Sequence, residues 1–122
     1  MERDGLAYIG SGDLDMVSCL DPVTGKNLWR TDVGGWVLRA PAVTKNSVYA
    51  SVSGAHRNAS FWLPQASALT ALDRATGKLR WSWPLPVRPG EFLKGFLAAP
   101  VVAGDLVLAA GLDGTLYAFP AE

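Results

Sequence analysis

Apolar and polar residues alternate along this chain in short runs, and no stretch keeps helical spacing over three turns. Three runs, GLAYIGS (5–11), NSVYASV (46–52) and GDLVLAA (104–110), each begin at a turn signal. Each leads to a second run: MVSCLD (16–21), ALTALD (68–73) and TLYAFP (115–120). Period-two alternation over such lengths, bounded by Gly, Asp, Asn and Ser, predicts half-buried β-strands. The tight hairpin signal LDGT (112–115) and its looser counterpart GDLD (12–15) join two of these pairs. The pattern is all-β.

The runs belong to a repeat. LDPVTGKNLW (20–29) and LDRATGKLRW (72–81) share six of ten residues, and APAV (40–43) is echoed by APVV (99–102). Tyr8 to Tyr49 is 41 residues, Asp21 to Asp73 is 52, and Ala40 to Ala99 is 59. One base period of 41 accounts for all three if SGAHRNASFWLPQAS carries 11 extra residues and PLPVRPGEFLKG carries 7. Four short strands in a period of this length predict the blade of a β-propeller. The shared phrase also has a local cause. Asp21 and Thr24, like Asp73 and Thr76, can bond the backbone of a turn in which Gly25 or Gly77 takes positive φ. A three-residue hairpin with a bulge is expected there. Trp29 and Trp81 then fall on the outer strand, where an indole can bury area against a neighbouring blade.

Composition narrows the function classes. The chain has 122 residues, 49% hydrophobic and 18% charged, which excludes intrinsic disorder. Eleven basic residues balance eleven acidic ones, so no global field draws nucleic acid or an anionic membrane. No run approaches a membrane span, and the opening MERDGLAYIG has no apolar core of a signal peptide. Cys19 is the single cysteine and reads as a buried, inert thiol, so the redox compartment stays open. His56 is the single histidine, so no histidine metal triad or Ser-His-Asp set can be assembled within the chain.

With APAV, AYIGSGD, LDPVTGKNLW, LDRATGKLRW and LDGTLYAF in order, the chain resembles the pyrroloquinoline-quinone-type (PQQ-like) β-propeller repeat. The resemblance covers nearly everything outside the two enlarged loops. It implies an all-β partial propeller of four-stranded antiparallel blades, with strands A to D running from axis to rim. On that frame residues 6–32 form a blade lacking strand A, 39–83 a complete blade, and 97–120 a blade lacking strand D. Ten strands make two and a half blades, fewer than the four to eight of a closed ring. The expected partners are therefore the remaining blades of a larger propeller, or further copies through self-association. Pro120 stands where the repeat has Asp, and the end of the chain reads as a natural terminus whose missing strand comes from elsewhere in the parent. The resemblance makes Trp29 and Trp81 blade-docking residues, with Asp21, Asp73, Gly25 and Gly77 shaping the turns beside them.

The resemblance spans binding proteins, such as outer-membrane assembly lipoproteins and receptor-kinase sensor regions, and quinoprotein dehydrogenases. The first reading is a non-catalytic binding or scaffold segment that presents a loop face to a protein or other ligand, with an extracytoplasmic parent. The alternative is a fragment of an alcohol or sugar dehydrogenase dependent on PQQ and calcium. Against it, the chain has no adjacent cysteine pair, and the inner strands RAPAV and AAPVV bring no carboxylate. No cofactor and no catalytic or metal-binding residue is expected in this segment.

Both enlarged loops fall on the face carrying the B–C and D–A connections, and insertions on one face tend to mark a binding surface. One loop holds His56, Arg57, Phe61 and Trp62, the other Arg88, Glu91, Phe92 and Lys94. Trp36 and Arg39, just before an inner strand, lie near the axis on that face. Phe61 and Trp62 either hold a peptide or carbohydrate or fold back to cap the blade. Arg39 is either an anion-binding group in the channel or an ordinary surface or interblade arginine. NAS (58–60) fits a glycosylation acceptor, and Asp13, Asp15 and Asp113 read as turn formers.

Overall fold

The structure, a computed structural model, describes residues 2–11, 15–35, 37, 39–53, 67–84, 99–110 and 115–121. Among them are eleven strands in three antiparallel sheets, of four, four and three strands. The first sheet orders β1 (Glu2–Arg3), β2 (Leu6–Gly10), β3 (Met16–Leu20) and β4 (Asn27–Asp32). The second orders β5 (Ala42–Val43), β6 (Ser47–Ser53), β7 (Ser67–Asp73) and β8 (Leu79–Pro84). The third holds β9 (Val101–Ala103), β10 (Leu106–Ala110) and β11 (Leu116–Pro120). Each sheet is a meander of sequence neighbours, as in blades of a partial propeller.

Two details depart from the sequence expectation. The first blade, expected without its inner strand, carries a two-residue one: Glu2 pairs with Ala7 and Arg3 with Leu6. Two charged residues are too few to show alternation. The repeated turn holds four residues between Asp and Lys instead of three. Asp21 N–H donates to Lys26 O at 2.9 Å and Asp73 N–H to Lys78 O at 2.7 Å, while Gly25 and Gly77 N–H reach back to the Asp carbonyls. The carboxylates explain the extra residue. Asp73 Oδ1 accepts from the amides of Ala75 and Thr76 and from the Thr76 hydroxyl, and Asp21 Oδ1 accepts from Val23. One helical turn is thereby capped before glycine, at φ 74° and 76°, reverses the chain. A bulge follows in the strands, between Cys19 and Leu20 and at the matching Ala71 and Leu72.

Alternation sorts side chains into two cores. Tyr8, Val17 and Cys19 of the first sheet meet Val48, Ala50, Val52 and Leu72 of the second. From the opposite side of the second sheet, Tyr49, Leu69 and Ala71 meet Val107 and Ala109 of the third. Neighbours on one strand thus serve different cores, as Val48 and Tyr49 do. The second sheet is covered on both faces. Among the described residues the third has a neighbour on one face only, and Val101, Leu106 and Leu116 are 56%, 45% and 66% exposed.

Candidate functional site

The meander places the β1–β2, β5–β6 and β9–β10 turns at the same end of the sheets as the Asp-to-Lys turns. In the second sheet the two kinds of turn touch directly, with Arg74 N–H donating to Asn46 O at 2.9 Å. This turn face is opposite the end at which β6 finishes at Ser53 and β7 begins at Ser67. Of the loop-face residues, Arg39 is exposed just ahead of β5. Trp36, His56, Arg57, Phe61, Trp62, Arg88, Glu91, Phe92 and Lys94 lie outside the described residues, as do Asn58 to Ser60, Asp13 and Asp113. Asp15 is described: it is buried at φ 56°, and its carbonyl accepts from Val33 N–H.

Trp29 and Trp81 sit at the two seams between sheets. The Trp29 indole N–H donates to Arg74 O at 2.9 Å, and its ring lies where a Cβ on Gly77 would be, 2.5 Å from Cε3. Thr31 Oγ1–H donates to Gly77 O beside it. Gly77 therefore serves a positive φ and a close approach at once. Gly25, the matching glycine in the first sheet, has nothing within 4 Å of its Cβ position. The Trp81 ring packs, tilted, against Tyr49 at 5.9 Å and against Phe119 of the third sheet at 5.4 Å between centroids.

Arg74 is the hub of the first seam. Its Nε donates to Tyr8 OH at 2.8 Å, one terminal nitrogen pairs with Asp4 Oδ2 at 2.7 Å, and the other donates to Lys45 O at 3.2 Å. The guanidinium holds the Asp4 carboxyl below the ordinary carboxylate range, first by hydrogen bonding and then by charge. Asp73 is also held low, chiefly by the Thr76 amide. Burial pushes the Tyr8 phenol up, against the Arg74 bond, and burial likewise raises the Cys19 thiol. Cys19 is free and buried.

Two clefts open on the turn face. One, of about 440 Å³, collects residues of all three sheets, among them Arg3, Val43, Lys45, Val102, Asp105 and Ala121. The other, of about 450 Å³, lies along the first seam between Leu6, Leu28 and Trp29 on one side and Lys45, Arg74 and Arg80 on the other. The sequence reading passed over Lys45, Arg74 and Arg80, although one signal was available. Offset by 52 residues, Arg74 and Arg80 stand where the first copy of the repeat has Pro22 and Leu28.

Among the described residues no group of three or more His, Cys, Asp or Glu is placed to hold a metal ion. The inner strands offer Glu2 as their one carboxylate. The described donors do not fit a calcium–quinone centre. No helix of the described residues is long and apolar enough to cross a membrane.

Antiparallel blades packed face to face define a partial PQQ-like β-propeller. The chain belongs to the family described as outer membrane protein assembly factor BamB, whose model matches residues 3–59 and 52–122. Among solved structures, quinohemoprotein alcohol dehydrogenase ADHIIG from Pseudomonas putida superposes with a TM-score of 0.74 at 24% identity, over 100% of this chain and 18% of that one. BamB from Moraxella catarrhalis superposes with a TM-score of 0.51 at 16% identity, over 96% of this chain and 43% of that one. At these identities both are likenesses of fold, and the chain spans less than half of either protein. No curated protein sequence matches the chain.

Proposed function

We propose that the chain is a non-catalytic binding and scaffold segment of a BamB-type propeller, working in an extracytoplasmic, outer-membrane-associated setting. One observation carries this reading: polar chemistry is spent on holding blades together. Arg74 bonds both Asp4 and Tyr8 across a seam, and Asp73 Oδ1 is taken by three donors of its own turn. The two clefts on the turn face are lined by apolar and cationic side chains with Asp73 and Asp105 among them, which suits recognition more than bond-making. The family description, an assembly factor, supports the same reading. The open side of the third sheet, with Val101, Leu106 and Leu116 exposed, is the surface on which further blades of a larger propeller would pack.

Two faces are proposed for a protein partner: the loop face around Phe61 and Trp62, and the turn face around Lys45. A photo-crosslinking side chain placed at Phe61 or at Lys45, in cells of the source, tests both. A discrete adduct with an envelope protein from either position supports the reading. Absence of adducts from both, together with dye reduction that requires added PQQ and calcium, would overturn it in favour of a dehydrogenase fragment.

A further inference from the structure

We propose that the turn face of the second blade binds an extended acidic peptide, one apolar side chain of which seats between the first and second blades. This deepens the binding reading above and rests on it. Lys45 lines both clefts, so they adjoin at its side chain along the turn face, one beside the β1–β2, β5–β6 and β9–β10 turns and the other at the first seam. Adjoining clefts of this kind take an extended chain better than a compact ligand.

Its charge selects the ligand. Arg3 and Lys45 line the first of these clefts, and Lys45, Arg74 and Arg80 the seam cleft. The carboxylates on the walls are Asp105 and Asp73, and Asp73 is already engaged by three donors of its own turn. Arg74 has Asp4 as its counter-ion. Arg80 is braced by bonds to Asn46 O and Ser47 Oγ, which hold its guanidinium at the rim. Arg3 is held at the cleft wall by its ion pair with Asp4 Oδ2 at 3.9 Å and by a bond from its guanidinium to Val43 O at 3.4 Å.

The internal repeat separates scaffold from site. Both copies close the Asp-to-Lys turn with the same backbone bonds, yet the first copy has Pro22 and Leu28 where the second has Arg74 and Arg80. At the inner turn, Lys45 of the second blade corresponds to Asp4 of the first and Gly104 of the third. Closing a blade therefore does not require cations at these places. The three cluster on one blade, against a wall whose Leu28 is 51% exposed. A carboxylate beside an aliphatic or aromatic side chain matches that surface, with cations for the first and Leu6, Leu28 and Trp29 for the second.

The test is fluorescence anisotropy of the full chain with a fluorescein-labelled heptapeptide of glutamate and aspartate around a central phenylalanine. A lysine counterpart and an alanine-centred version serve as comparisons. The acidic peptide is expected to bind at least about tenfold more tightly than the basic one, and more weakly as salt rises. Lys45→Glu and Arg80→Glu should each weaken it by about tenfold, and Leu28→Ala or the alanine-centred peptide by several-fold. Lys45→Gln, a charge-removing change at an exposed position, should give a smaller loss in the same direction with an unchanged near-ultraviolet spectrum. Equal binding of the basic peptide, or indifference to both charge reversals, overturns the proposal. Binding of phosphatidylglycerol vesicles in place of the peptide also overturns it. Cross-linking from Phe61 without peptide affinity would remove this inference and leave the scaffold reading standing.

Discussion

The two seams of this molecule solve one problem by different means. Between the first and second sheets a tryptophan bonds a carbonyl, a threonine bonds the next carbonyl but two, and an arginine ties tyrosine to aspartate. Between the second and third sheets the contact is aromatic: Trp81 on Phe119, and Trp83 on Tyr117 and Phe119 at 4.9 and 5.3 Å. The polar seam is directional, since each hydrogen bond demands one register. The aromatic seam depends mainly on area, with ring geometry adding about 0.5–1.5 kcal/mol per pair. The first seam draws its acceptor carbonyls from the Asp-to-Lys turn of the second sheet, and no such turn is described in the third sheet beside Trp81.

The largest effect should come from the aromatic side. Trp81→Ala removes packing against both Tyr49 and Phe119, and we expect a loss of about 3 kcal/mol in urea unfolding, with much of the near-ultraviolet signal. The glycines sharpen the contrast within the turns. Gly77→Ala sets a methyl against the Trp29 ring and forces positive φ on alanine, costing about 2–4 kcal/mol, whereas Gly25→Ala meets open space and should cost only about 1 kcal/mol. Equal losses at the two positions would show that Trp29 does not rest on Gly77 in solution.

Smaller effects probe the polar bonds. Trp29→Phe keeps a ring but deletes the donor to Arg74 O, and should cost about 1 kcal/mol more than Trp81→Phe, which exchanges one packed ring for another. The smallest signal is pH dependence. The carboxyls of Asp4 and Asp73 have depressed folded pKa values, so their contribution is present above the unfolded value near 4 and is lost as pH falls through the folded values. The melting temperature should decline below about pH 5, and Asp4→Asn should flatten part of that decline. Tyr8 acts in the opposite sense. Its folded pKa is raised, so its contribution is complete below the unfolded value near 10 and fades as pH climbs through the folded one.

The blades were legible because their signal is long-range and repeated: period-two runs, glycine turns and a phrase written twice. β1 was not, because Glu2 and Arg3 offer no alternation and are drafted into the sheet by the edge of β2. The turn differs by one residue because the Asp73 carboxylate takes the amides of both Ala75 and Thr76, a count that residue types alone do not fix. Trp29 and Trp81 stood out by repetition, but Arg74 did not. It fills one of the variable places of Asp-x-x-Thr-Gly-Lys, and its partners Tyr8 and Asp4 lie 66 and 70 residues away. Loop enlargement directed attention to one face, while the described clefts open on the other. Only a position-by-position comparison of the two copies exposes the cations at 74 and 80.

The indole of Trp29 and the carbonyl that receives it are 45 residues apart in the chain. On a ribosome adding about 5–20 residues per second, the donor emerges roughly 2–9 seconds before its acceptor. Whenever the first sheet forms ahead of the second, Tyr8, Val17 and Trp29 stay uncovered until the second arrives. Until then the first sheet is a half-finished surface, one that a chaperone shielding apolar faces in the compartment where the chain folds would cover.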